Sequence, residues 1–451
     1  MIPPKPAAAR KTGLLRMIRG FRHDLLSALP ARLYRAWMAE FRSPLLHSFL
    51  CNDPELVATI LRRRPQDFPK SDRLREGLAP LLGRSVFVTN GAEWERQRRI
   101  IDPAFEGGRL REAFPAMLAA SQAAVTRLLA QADGRPRDIE PETSHAAADV
   151  IFRTLFSLPI EDDTAAQVFA AFRAHQDAQP IVNLAALPPL PGWLPRLHSR
   201  RTRRTARQIR ALIKALVHQR LSRIAQGTAP DDLATNIMTT PDPLTGQCFD
   251  GAEMVDQVAI FFLAGHETSA SALAWALYLL AENPDWQTRL VAEAKVLPDT
   301  PGFADLSRLP RAKAVFREAL RLYPPVPMMV RQAACPQTFR DRPVPTGAQL
   351  IVSPWHLHRH ERLWDDPDSF DPDRFQTENG KSCLRNAYIP FSAGPRVCPG
   401  AGFAMAEGPL MLALITRALH ISPGPCPPVP VARLTVRGRD GIRLCLTPRR
   451  D

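Results

Sequence analysis

A single cysteine, Cys398, stands in the stretch Phe391-Ser-Ala-Gly394-Pro-Arg396-Val-Cys398-Pro-Gly400. The apolar run from Ala401 to Leu419 predicts a helix, so Cys398 sits just before a helix N-terminus. The partial positive charge there favours a thiolate over a thiol. Pro399 suits the first helical position, where its missing N–H costs nothing. Gly394 and Gly400 let backbone approach a flat ligand closely, and Arg396 can neutralise an anionic group beside it. A lone thiolate in a tight loop is what axial ligation of haem iron requires. The competing reading, a buried structural cysteine in a Gly/Pro turn, has to explain five fixed positions agreeing at once.

A second constellation, Ala264-Gly265-His266-Glu267-Thr268-Ser269, lies inside the apolar segment Asp250 to Glu282. An acid and two hydroxyls in a buried helix need a reason. Thr268 can bond back to an upstream carbonyl and Gly265 weakens the helix, which predicts a local distortion. His266 needs no role beyond that of a satisfied buried histidine. Further along, Glu318 and Arg321 share a helix face, and Trp94 and Arg98 share another.

The cysteine stretch matches Phe-x-x-Gly-x-Arg-x-Cys-x-Gly throughout and resembles the haem-binding loop of the cytochrome P-450 family, the haem-thiolate monooxygenases. The resemblance runs from Ser85 to the C-terminus. It implies haem b as cofactor and Cys398 as iron ligand, with Phe391, Gly394, Arg396 and Gly400 shaping the loop. Glu267 and Thr268 resemble the acid–alcohol pair that steers protons beside bound oxygen. Trp94 and Arg98 resemble the pair that reaches one haem propionate, and Arg331 is implied to reach the other. His358 is a weaker candidate of the same kind. Glu318, Arg321 and Arg374 resemble the family's structural charge triad. Phe261, Phe262, Ala264, Val326, Met328 and Met329 are implied to line the substrate pocket.

These residues need elements to position them. Asp250 and Glu253 form a cap and Pro284 stops the helix, which at roughly 1.5 Å per residue spans about 50 Å. Residues 110 to 230 look helical, broken near Leu187 to Trp193, which resembles a mobile loop between lid helices. Leu14 to Leu29 among Arg and Lys predict an amphipathic basic helix over 13–42, packed on the body. Asp53 to Arg63 predicts a short helix. Leu434 to Arg437 and Ile442 to Thr447 alternate as strands, predicting a hairpin around Asp440-Gly441. Pro409 should kink the helix after Cys398. The expected fold is mainly α with a small β-rich lobe. It is one domain over residues 1–451, with a flexible tail over 1–12.

Composition sets the limits. Hydrophobic content of 45% supports a large core. The seven cysteines are odd in number and contain no C-x-x-C pair, which argues against disulfides and zinc and for a reducing cytoplasm. No run reaches the length of a membrane span. The net charge of +14 is spread without a basic aromatic platform, which speaks against nucleic acid. An acidic protein partner accounts for it better. The resemblance implies a monomer that takes electrons from a ferredoxin or flavodoxin with its NAD(P)H reductase, because too few residues follow Cys398 for a reductase domain. Arg96 and Arg99 are candidates for the docking patch. The implied reaction inserts one oxygen atom from O2 into a lipophilic substrate: a fatty acid, terpenoid, carotenoid or polyketide. A peroxide-driven peroxygenase and a haem-binding sensor are the alternatives; Glu267–Thr268 counts against both.

Overall fold

Asp250 starts the longest helix, Gly251–Glu282, by accepting the N–H groups of Ala252 and Glu253 at 2.8 and 2.7 Å. Glu253 answers by accepting the Asp250 N–H at 3.0 Å. Apolar residues all round bury this central helix between its neighbours. The computed structural model describes residues 24, 26, 29–43, 46–178, 198–432 and 434–449. The predicted loop at Leu187 to Trp193 and the tail 1–12 lie outside them.

Against the central helix pack Glu140–Phe156, Arg200–Ala225 and Pro310–Leu322; Asp163–Ala178 reaches it through Phe169 and Phe172, and Arg109–Ala130 packs on Glu140–Phe156. The helix after the cysteine loop, Ala401–Ala418, packs against several of these and continues as one helix through Pro409, whose missing N–H removes one bond from its ladder. Among the described residues one helix, Arg109–Ala130, is long and apolar enough to cross a bilayer. It buries Phe114, Met117, Ala120, Ala124 and Leu128 in the core.

A smaller lobe holds strands β1 (Met38–Ser43), β2 (Leu46–Cys51), β4 (Met329–Gln332) and β7 (Gln349–Val352), in the order β1-β2-β7-β4. Only the β2–β7 pair is parallel. Met38 to Arg42 is therefore strand, not the end of an amphipathic helix; Leu26, Leu29 and Leu33 are buried in the body.

The predicted C-terminal hairpin does not form. Strand β10 (Val436–Gly438) pairs back with β9 (Pro430–Ala432), and β11 (Arg443–Pro448) joins β3 (Pro136–Asp138) and β8 (Leu419–Pro423). Asp138 accepts the Ile442 N–H at 3.0 Å, so the chain leaving Gly441 is captured by a distant strand. Hydrophobic alternation marks strands but not their partners.

Candidate active site

Tight local bonding shapes the cysteine loop. The Cys398 N–H donates to the Phe391 carbonyl at 2.9 Å, and Gly400 is the N-cap of the following helix, so Pro399 lies before the helix and not at its first position. Gly394 takes a φ of 68°, and a Cβ there would overlap the Leu61 carbonyl. The close approach that needs this glycine is therefore made by protein backbone. Cys398 is reached by solvent yet walled in. Burial raises its thiol above the ordinary value, against the Gly400 N–H and Arg98, which pull it down. Burial thus outweighs the helix N-terminus, and a metal ion at Cys398 would shift the balance back towards the thiolate.

Beside this loop, cations collect around one indole. Trp94 has Lys70, Arg98 and Arg396 at 5.6, 5.9 and 5.1 Å from its ring centre. Lys70 was not legible as a site residue. An antiparallel bridge sets it against Arg331, and its ammonium donates to the carbonyls of Val86 and Thr89 at 2.6 and 3.1 Å. Burial drives Lys70 well below its ordinary value, helped by Arg331, Arg396 and Arg98. Burial and then Arg396 lower Arg331 to about 10. Arg98 is the one member with a carboxylate: it pairs with Asp102 at 2.7 Å and donates to the Val397 carbonyl at 2.7 Å.

On the central helix Ala264 is exposed in a segment otherwise buried or half-buried. The Thr268 hydroxyl donates to the Ala264 carbonyl at 2.6 Å. The helix stays regular there, and the expected distortion is absent. Gly265 serves packing instead: a Cβ would overlap Ile151 of the neighbouring helix. Glu267 is buried and turned to the C-terminal segment, where Arg437 meets it at 2.7 Å and the Thr435 hydroxyl at 3.0 Å. His266 donates from Nδ1 to the Phe262 carbonyl at 2.8 Å, and Gln176 lies 3.3 Å from its Nε2.

The model of the cytochrome P450 family matches residues 32–445 of this chain. The chain belongs to the cytochrome P450 family. It is similar to cyclooctat-9-en-7-ol 5-monooxygenase of Streptomyces melanosporofaciens, with 32% identity over 89% of this chain and 85% of that one. Cyclooctatin synthase of the same organism is also 32% identical, over 89% and 86%. Human cytochrome P450 4F2 is 28% identical over 92% and 83%. The fold matches the haem domain of cytochrome P450DA with a TM-score of 0.83 and 24% identity, covering 100% of this chain and 99% of that one. The protein is a P450 monooxygenase with haem b as its prosthetic group.

The residues present fit that group. Nε of Arg331 and Nε of Arg396 are buried without a hydrogen-bond partner. Repulsion among Lys70, Arg331 and Arg396 calls for an anion, a need that the two propionates of haem b would meet.

Not every expected residue joins this P450 site. Phe262 is buried against Phe152, Phe156 and Phe172, with ring centres 4.4 to 6.1 Å away, so it belongs to the core. Phe261 instead meets Phe105 at 5.9 Å, and Phe105 meets Phe403 of the cysteine helix at 5.4 Å. Val326 and Met328 are half-buried, Met328 against the main core, whereas Met329 packs on the core of the β lobe. His358 is no propionate partner: it is fully buried, accepts the Ile389 N–H at 2.8 Å and stacks on Tyr388. Burial first, then Arg321, pushes its imidazole down to about 3, so it stays neutral.

Arg96 and Arg99 are not free for a partner. Arg96 pairs with Glu253 at 2.5 Å and Arg99 with Asp242 at 2.6 Å. Of the arginine run, Arg200, Arg201, Arg203, Arg204 and Arg207 face solvent, while Arg210 pairs with Asp256 at 2.7 Å.

Proposed function

We propose that this P450 hydroxylates or epoxidises a lipophilic terpenoid, acting as a single-domain monomer in the cytoplasm with electrons from a separate ferredoxin or flavodoxin and its NAD(P)H reductase. One observation carries the substrate reading: in the stretch 261–270 of the central helix, the residues that are not fully buried are Phe261, Ala264, Gly265, Thr268 and Ser269, and none of them is charged. Its one acid there, Glu267, is spent on Arg437 and Thr435. Binding on that wall therefore rests on apolar contact, and Ala264 leaves room for a bulky ring system. The similarity to two enzymes of cyclooctatin chemistry points the same way.

When bound, the haem supplies the oxygen chemistry. The chain does the rest. Cys398 would hold the group through its thiolate, and Lys70, Arg331 and Arg396 would bind its propionates. Thr268 Oγ1 keeps a proton on the Ala264 carbonyl, within the wall that faces the reaction. Glu267 is its acid partner, and Arg437, whose side chain is 30% exposed, links that acid to solvent. The electron carrier docks at the cysteine loop. Val397 is an exposed apolar residue there, 39% accessible, and the exposed Arg62, Arg63 and Arg64 adjoin the Leu61–Gly394 contact.

A ligand panel tests the substrate class. Polycyclic terpenoid alcohols should shift the Soret band to the blue in a saturable way, and fatty acids should not. A shift with fatty acids alone would overturn the terpenoid reading. Thr268→Ala should leave that ligand shift intact and lower product per electron by roughly 10- to 100-fold, the electrons appearing as peroxide. Undiminished product per electron would remove Thr268 from proton handling.

A further inference from the structure

Glu407 is a buried acid that the proposed chemistry does not use. It lies on the cysteine helix, 5% exposed, six residues after Ala401. At 1.5 Å per residue that is about 9 Å along the helix that Cys398 leads into. Its polar neighbour is the Ser269 hydroxyl, 3.5 Å from Oε2, on the central helix directly after Thr268. Glu407 therefore joins the two helices that bound the haem site.

No cation pairs with it among the described residues. The buried acids on the helices packed around it are committed elsewhere. Glu267 is held by Arg437, and Glu318 by Arg321 and Arg374. Glu293 accepts the N–H groups of Arg311 and Ala312. Burial raises the Glu407 carboxyl to about 8, and Ser269 alone pulls it down.

We propose that Glu407 is a redox-linked acid, which takes up a proton when the haem iron held by Cys398 accepts an electron. The inference rests on the haem being bound at Cys398. The step balances: one electron from the carrier reduces ferric to ferrous iron, and one solvent proton converts the carboxylate to the acid. The physical link is Coulombic. At an effective dielectric of about 20, a unit of negative charge at a separation of about 12 Å strengthens proton binding by roughly tenfold.

The sign follows. Below about 8 the acid is protonated in both iron states, and the reduction potential does not depend on pH. Over roughly the next pH unit only the ferrous form keeps the proton, so the potential falls with rising pH, at most by about 59 mV per unit. Holding the proton spares the iron an unpaired negative neighbour and so eases its reduction.

Spectroelectrochemical titration of the haem-loaded protein across pH tests this, after the carbon-monoxide band has confirmed thiolate ligation in each sample. Glu407→Gln should give a potential that matches the acid limb of the wild type and stays flat. Ser269→Ala removes the group that favours the ionised form, so the onset should move to higher pH. An unchanged slope in Glu407→Gln would overturn the proposal, as would a wild type with no slope. Should Glu407→Gln fail to load haem, an unmoved onset in Ser269→Ala overturns it by itself. Absence of the band in the wild type refutes haem–thiolate ligation, and this inference falls with it.

Discussion

Cys398→Ser should abolish the absorption of the reduced, carbon-monoxide-bound protein at about 450 nm, which reports a thiolate on the iron. Monooxygenation should fall by about 10³-fold or more, equivalent to about 4 kcal/mol of barrier. A serine hydroxyl fits the same loop but does not ionise to a comparable ligand. No other cysteine can substitute. Cys51 and Cys383 lie in the core of the β lobe, where burial holds their thiols up at about 12 and about 11. Cys335 is held beside Gln337, and Cys248, Cys426 and Cys445 sit in other parts of the chain. Only Cys398 adjoins Arg98, Arg396 and Trp94, the groups that would grip the haem edge. Retention of the band in Cys398→Ser would show that a different residue ligates, and the site would have to be moved.

What could be read in the chain depended on how local the cause was. The pair Glu318–Arg321 and the cap Asp250–Glu253 are short spacings, and each appears in the structure as the contact that its spacing implies. Lys70 escaped because its place comes from an antiparallel bridge to Arg331, which no local pattern encodes. Phe262 was assigned to the pocket because a helix apolar all round gives no indication of which side faces the ligand. Arg96 and Arg99 were read as free because their partners, Glu253 and Asp242, are more than a hundred residues away in sequence. The strand that starts at Met38 cuts into the helix expected over 13–42, because a mixed basic–apolar stretch fits either period until its neighbour β2 is known. Glu407 was passed over because an acid in an apolar helix declares itself only through complete burial.

Glu318→Ala should cost roughly 3–5 kcal/mol of folding stability, the range for stranding buried charge. Glu318 and Arg321 are fully buried and Arg374 nearly so. Glu318 receives Arg321 at 2.7 and 2.8 Å, Arg374 at 2.9 Å and the Asp371 N–H at 3.0 Å. The two arginines in turn donate to the carbonyls of His358, Pro367, Ser369, Asp365 and Asp366. Removing the carboxylate leaves two guanidiniums in the interior and loosens the whole segment from Asp365 to Arg374. That segment adjoins the cysteine loop through His358, which stacks on Tyr388 and binds the Ile389 N–H. Haem retention should therefore fall together with stability. The control is Arg109→Ala, which breaks an ion pair with Glu112 that is 34% and 56% exposed and should cost under about 1 kcal/mol. Denaturant unfolding of both variants decides the matter. A Glu318→Ala midpoint no lower than that of Arg109→Ala would mean that these buried charges do not hold the core. Replacing Glu318, Arg321 and Arg374 together by apolar residues should recover only part of the loss: no buried charge is then left unpaired, but the five carbonyls lose their donors.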